Sequence, residues 1–200
     1  MERIGLLGGT FDPPHLGHLW LAEAARQTLE LDKVLFLPAG QPPHKSADPI
    51  SAVDHRLAMT ALAVNGSSHF LLDVTDIERP SPHYTSTLLP LIQQKFPAAD
   101  LWLLIGSDSL RDLPIWHQPQ TVIAQSRLAT LPRPGITVDW VWLSLSVPGV
   151  DEIVDMLAAP TLDISSTAIR RWLSQGHSAP YLVPNKVLDY ITHHRLYQPV

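Results

Sequence analysis

Short apolar runs recur along this chain, each ended by glycine, proline or a polar cluster. Residues 4–7, 34–37, 70–74 and 101–105 are apolar at most positions without alternating, the pattern of strands buried on both faces. Residues 128–131 and 140–145 read as a fifth and a sixth strand. A helix is expected from about Leu16, with His18, Leu21, Ala22, Ala25 and Leu29 on one face. Ser51 is expected to cap a second helix, whose Val53, Leu57, Ala61 and Val64 share a face and whose stop is Asn65-Gly66. A third begins near Thr87 and must hold Pro90 in its first turn, where a missing N–H is tolerated. Helices at 152–157, 166–173 and 185–194 follow. Strands alternating with helices predict an α/β fold: one domain over residues 1–200, with a mostly parallel sheet and helices on both faces.

Ligands of such sheets bind beyond the carboxyl ends of the strands. The glycine and polar clusters at 8–18, 38–45, 106–108 and 133–135 fall there. That agreement is the structural argument for a nucleotide site.

Composition narrows the class. Two hundred residues with 45% hydrophobic and 16% charged content suffice for a packed core. The absence of cysteine excludes disulfides and thiolate metal sites, and a net charge of -5 argues against a nucleic-acid surface. Met1-Glu2-Arg3 and a short apolar run broken at Gly8-Gly9 do not make a signal peptide. No stretch is long enough to span a bilayer, so a cytoplasmic protein is expected.

Two motifs carry chemistry. In Gly8-Gly9-Thr10-Phe11-Asp12-Pro13-Pro14-His15-Leu16-Gly17-His18, glycines after a strand let backbone N–H groups approach a phosphate, and the next helix points its positive end there. His15 and His18 are three apart and share a face of the first turn, adding two imidazole donors. A turn with two surface histidines is the plainer alternative, and a metal pair would need a third ligand. The run is neither a Walker loop nor a dinucleotide fingerprint. In Ile164-Ser165-Ser166-Thr167-Ala168-Ile169-Arg170, Ser165 or Ser166 can cap the following helix, and Arg170 reaches back to the same helix start. Hydroxyls, free N–H groups and a guanidinium would then converge on one anion, although a plain capped helix fits too.

Together these motifs, at opposite ends of the chain, resemble the nucleotidylyltransferase superfamily, whose members work on a Rossmann-like sheet. Further runs resemble the bacterial nicotinate-nucleotide adenylyltransferase family. They are Leu37-Pro38-Ala39-Gly40-Gln41-Pro42-Pro43-His44-Lys45, Arg56-Leu57-Ala58-Met59, Glu78-Arg79 with Tyr84-Thr85, Leu104-Ile105-Gly106-Ser107-Asp108 with Trp116, and Arg133-Pro134-Gly135. The resemblance covers essentially the whole chain. It implies that the phosphate of nicotinic acid mononucleotide attacks the α-phosphorus of ATP and that pyrophosphate leaves. Mg²⁺ would accompany ATP, with no resident metal, nucleic-acid or membrane partner.

The resemblance also implies site roles. His15, His18 and Arg170 would be catalytic at the phosphates. Gly8, Gly9, Thr10, Phe11, Gly106, Asp108, Arg133, Ile164, Ser165 and Ser166 would bind ATP. Lys45, Tyr84, Thr85 and Trp116 would bind nicotinate mononucleotide. A helix cap for Asp108, a solvated surface for Lys45 and a core position for Trp116 are the ordinary alternatives. His83 stands where members carry serine, and Ser86 where an acidic residue is expected. A pantetheine-phosphate adenylyltransferase would share both end motifs but lack the Pro-Pro-His-Lys loop. A cytidylyltransferase, or a nucleotide sensor that binds without turnover, are further alternatives.

Overall fold

The computed structural model describes residues 1–40 and 50–198. Six strands, β1 (Arg3–Gly9), β2 (Lys33–Pro38), β3 (Phe70–Leu72), β4 (Asp100–Gly106), β5 (Arg127–Leu131) and β6 (Val154–Met156), form one sheet in the order β3-β2-β1-β4-β5-β6. Every pairing is parallel. This is the Rossmann-like, doubly wound order. Ten helices accompany it among the described residues: α1 (Leu16–Thr28), α2 (Val53–Val64), α3 (Thr75–Glu78), α4 (Thr85–Lys95), α5 (Ser107–Arg111), α6 (Pro119–Gln125), α7 (Trp140–Ser146), α8 (Val150–Ile153), α9 (Ser166–Leu173) and α10 (Asn185–His193).

The unbroken apolar strands are explained by burial on both sides. Ile4 and Leu6 of β1, Leu35 and Leu37 of β2, and Leu101, Leu103 and Ile105 of β4 point to one face, where Leu89 and Ile92 of α4 and Val122 of α6 cover them. Leu7, Val34, Phe36, Trp102 and Leu104 point to the other, under Leu21, Ala22 and Ala25 of α1. A third cluster joins Met59 of α2 to Ile169 of α9 and to Val187 and Ile191 of α10. It docks the late motif's helix onto the sheet assembly.

Four expectations are corrected. Residues 140–145 form helix α7, not a strand: the Asp139 side chain caps it by accepting from Trp142 N at 3.0 Å. Leu143 and Val147 are buried one turn apart, while Val141 and Leu145 are exposed. A short apolar run does not distinguish strand from helix, and here the cap decides. The sixth strand is instead 154–156, inside the stretch read as a helix at 152–157. There Val154 pairs with Leu128, and Asp155 is held by Arg127 at 2.9 Å and Trp102 Nε1 at 2.9 Å. Ser51 does not cap α2, which starts after Ala52; its N–H donates to Asp12 Oδ2 instead. Pro90 sits in the second turn of α4 rather than the first, because Tyr84 takes the N-cap position and starts the helix at Thr85.

No described helix is long and apolar enough to cross a membrane.

Candidate active site

β1 and β4 are neighbours, and the segments after them leave to opposite faces: α1 packs on one side, Leu110 of α5 on the other. The chain opens a crevice at that switch point. It is filled by a cavity of about 760 Å³. Gly8, Gly9, Thr10, His15 and His18 line it from the first motif, and Gly106, Asp108, Arg133, Ile164, Ser165 and Ser166 from the loops opposite. Tyr84, Thr85 and Trp116 line it as well. The structure therefore brings together fourteen of the site residues expected from the sequence.

Three others sit differently. Phe11 does not line the cavity. Its ring, 1% exposed, packs edge-on against His18 at 5.0 Å and touches Phe36, under a backbone turn with φ of 50°. Its place in the motif reflects support of the phosphate loop from behind. Arg170 also lies outside the lining; its Nη1 donates to the Asp12 carbonyl at 2.9 Å. Lys45 lies outside the described residues.

The histidines are tightly ordered. Their rings stack at 3.7 Å with 21° between planes, and His15 N–H donates to His18 Nδ1 at 3.2 Å. In the neutral His18 ring the proton is then on Nε2, which makes that nitrogen a donor. His15 is 5% exposed, and its Nδ1 is buried without a hydrogen-bond partner. Gly17 makes this packing feasible, since a Cβ there would meet His15 Nδ1 at 3.0 Å. Burial, reinforced by the positive charge of Arg133, lowers the His15 pKa to about 4. His15 is thus a neutral donor at pH 7, not a cation.

That shift has a stability consequence. The unfolded chain binds a proton at this position near pH 6.5, whereas the folded one resists it until about pH 4. The stabilising effect is complete above 6.5 and is lost as pH falls towards 4, by up to about 3 kcal/mol. Urea midpoints measured across that window should fall steeply in the wild type and less steeply in His15→Gln. Parallel profiles would contradict the assignment.

The late motif clasps the early one. Ser165 Oγ accepts from Ala168 N at 3.2 Å and is the N-cap of α9. Ser166 Oγ donates to Pro13 O at 2.9 Å, and Arg170 takes Asp12 O. Arg133 donates to Ile164 O and lies 3.8 Å from both Asp108 Oδ2 and Asp163 Oδ1. Asp108 does not cap α5; Gly106 occupies that position, and a Cβ on it would strike Asp108 Oδ1 at 2.4 Å.

Arg79, also in the lining, organises the segment that leads into α4. It donates to Asp76 Oδ1 at 2.6 Å, Thr87 Oγ1 at 2.7 Å and Tyr84 O at 3.1 Å. The Tyr84 ring stacks on His117 at 4.1 Å, and His117 Nδ1 is 3.1 Å from Ser86 Oγ. Trp116 packs against the core cluster and also lines the cavity.

A family model described as cytidylyltransferase-like matches residues 6–172. A probable nicotinate-nucleotide adenylyltransferase of Thermomicrobium roseum is 44% identical over 100% of this chain and 94% of its own length. Another, from a Roseiflexus species, is 40% identical over 98% of each chain. The chain belongs to the nicotinate-nucleotide adenylyltransferase family. A solved nicotinic acid mononucleotide adenylyltransferase of Plasmodium falciparum, complexed with NaAD, superposes with a TM-score of 0.80 at 20% identity over 98% of both chains. At that identity the likeness speaks to the fold.

Within this family's framework, sequence reasoning missed the buried supports. Arg56 was visible as part of a run without a role. It is 2% exposed and donates to four backbone carbonyls: Thr10, Ala39, Gly40 and Ser51. Asp12 is also buried, accepting from Tyr197 OH at 2.5 Å and Ser51 N at 3.2 Å. Burial and the nearby Asp12 carboxylate push the Tyr197 hydroxyl pKa well up, so it stays a donor. The buried residues of α2 are Arg56, Met59, Thr60 and Val64, a set offset from the Val53, Leu57, Ala61 and Val64 face, so the apolar spacing carries no signal for Arg56.

Proposed function

We propose that the chain transfers the adenylyl group of ATP to the phosphate of nicotinic acid mononucleotide, giving nicotinic acid adenine dinucleotide and pyrophosphate, as a cytoplasmic step of NAD biosynthesis. One observation supports this most: a single cavity is lined by the histidine pair, by Ser165 and Ser166 at the start of α9, and by Tyr84, Thr85 and Trp116. The relatives named above carry the same activity in their names.

A phosphate oxygen of the mononucleotide forms a bond to the α-phosphorus as the bond to the bridging oxygen of pyrophosphate breaks. A phosphate monoester is already anionic at neutral pH, so no general base is needed. Catalysis is positioning and charge stabilisation. His18 Nε2, neutral His15 and the Gly9 and Thr10 backbone bind the phosphates, beside the free N–H groups of α9 at Ser165 and Ser166. Arg170 holds the phosphate loop through the Asp12 carbonyl. Gly106 and Asp108 bind the adenosine ribose, flanked by Arg133 and Ile164.

ATP enters as its Mg²⁺ complex. Among the described residues no three His, Asp or Glu side chains gather as a metal cage. Mg²⁺ carried in on ATP would keep phosphate oxygens and water as its main ligands, as is usual for this ion. When bound, it neutralises charge on the leaving pyrophosphate. Lys45 serves the mononucleotide, and Trp116 stacks on its pyridine ring.

Pyrophosphate release with a panel of phosphorylated acceptors tests the class. Nicotinic acid mononucleotide should turn over, while phosphopantetheine should not. Donors at Tyr84 and Thr85 satisfy a carboxylate but face the N–H₂ of an amide with donors of their own. The acid should therefore exceed the amide in kcat/KM by about a hundredfold. Equal values would reject acid selectivity while leaving adenylyl transfer in place.

A further inference from the structure

His83 comes directly after the cis Ser81-Pro82 bond and precedes Tyr84, and both His83 and Tyr84 line the cavity. Its side chain is 7% exposed, and its Nδ1 is buried with no hydrogen-bond partner. Buried polar atoms are normally satisfied, so an orphan on a cavity-lining ring calls for an explanation. The ring lies against Gly40, where a Cβ would strike His83 Cε1 at 2.5 Å. Gly40 is fixed on both sides, its N–H on Asp76 Oδ2 at 3.2 Å and its carbonyl on Arg56 Nη2 at 3.0 Å. The preceding Ala39 N donates to Gly9 O at 2.8 Å, tying this corner to the phosphate loop. His83 therefore sits between that loop and Tyr84–Thr85.

Behind the ring stands a carboxylate. Asp76 Oδ1 is 3.7 Å from His83 Nδ1, and Arg79 and Gly40 N–H prevent it from swinging away. The neighbouring Arg79 guanidinium is engaged by Asp76, Thr87 and Tyr84. With a proton on each nitrogen, an imidazole can donate to a fixed carboxylate from Nδ1 and to a second anion from Nε2.

We propose that His83, braced by Asp76, is a further binding residue for the phosphate of the acceptor mononucleotide. This rests on the adenylyl-transfer reading above. Nδ1 donates to Asp76 and Nε2 to the phosphate, holding the attacking group beside the phosphate loop.

The test compares nicotinic acid mononucleotide with nicotinic acid riboside, which lacks the phosphate, by calorimetric titration of the full chain. Wild type should bind the mononucleotide more tightly than the riboside. His83→Ala should weaken the mononucleotide on the order of tenfold or more, as loss of a charge-assisted contact does, and leave the riboside and the KM for ATP unchanged. His83→Gln, whose amide N–H can approach the Nε2 position, should recover part of the loss. It also provides the readout should the alanine variant fold poorly. Equal weakening of both ligands would mean that His83 only packs the Gly40 corner and would overturn the proposal, as would no weakening of either. Wild-type pyrophosphate release is measured alongside. Its absence with every pyridine mononucleotide would sink the adenylyl-transfer reading, whereas normal release with unaltered affinities in His83→Ala would sink this proposal alone.

Discussion

Replacing His18 with alanine is expected to lower kcat by about a hundredfold to a thousandfold, the effect of losing one preorganised donor at developing charge. The geometry gives the reason. His15 N–H occupies His18 Nδ1 at 3.2 Å, which leaves Nε2 as the donor. Phe11 meets the ring edge-on at 5.0 Å and His15 stacks on it at 3.7 Å, so little rotamer freedom remains to be lost when phosphate binds. Alanine also removes the acceptor for His15 N–H at the start of α1, which costs about 1 kcal/mol of stability. His18→Glu separates the two effects. Glutamate at this third helical position can accept from the N-cap N–H, as in a capping box, but it faces the phosphates with a negative charge. The thermal midpoint should recover in His18→Glu while kcat falls below that of alanine. Near-normal kcat in His18→Ala at saturating substrates would remove His18 from the phosphate chemistry.

The parts of this molecule legible in its sequence are those whose cause is local. Strands β1, β2 and β4 announce themselves because both of their faces are buried, which leaves runs such as Val34–Leu37 without polar interruption. The 8–18 loop is legible because its glycines and histidines fall at fixed short spacing just after a strand. Helix α7 and strand β6 are the less legible elements, because a short apolar run does not by itself distinguish strand from helix. Trp140 to Leu145 carries strand-like residues, yet only Leu143 reaches the core fully, and the Asp139 cap sets the helix. Asp155 looks like a helix-surface residue until Arg127 and Trp102 bind it across the sheet. The same distinction runs through the site. His15 and His18 could be placed from their spacing, but the roles of Phe11 and Arg170 could not. Motif membership does not say whether a side chain faces the ligand or braces the loop that does. Arg56 acts on backbone carbonyls of three separate segments, and such partners leave no pattern along the chain.

Arg56 should therefore matter more to stability than any residue lining the cavity. Its guanidinium donates to Ala39 O at 2.7 Å, Thr10 O and Gly40 O at 3.0 Å, and Ser51 O at 3.2 Å. It joins the phosphate loop after β1, the end of β2 and the start of α2 at one buried point. Burial depresses its pKa, and the negative charges of Asp12 and Asp76 oppose that shift, so the cation is held in place by carboxylates as well as carbonyls. Arg56→Met keeps much of the volume but leaves the four buried carbonyls without their donor. Breaking such a buried constellation costs about 3–5 kcal/mol. For a chain of this size that corresponds to a fall in Tm on the order of 10 °C. Arg56→Lys retains the charge but replaces the planar fork with a point donor, so it should lose roughly half as much. In the lysine variant the Thr10 and Gly40 loops lose their common tether, and kcat/KM should drop even at 25 °C, where the protein remains folded. Urea unfolding and steady-state rates on the same preparations decide the matter. A methionine variant within about 1 kcal/mol of wild type would show that water or local rearrangement satisfies the four carbonyls, and that Arg56 is not the anchor of the phosphate loop.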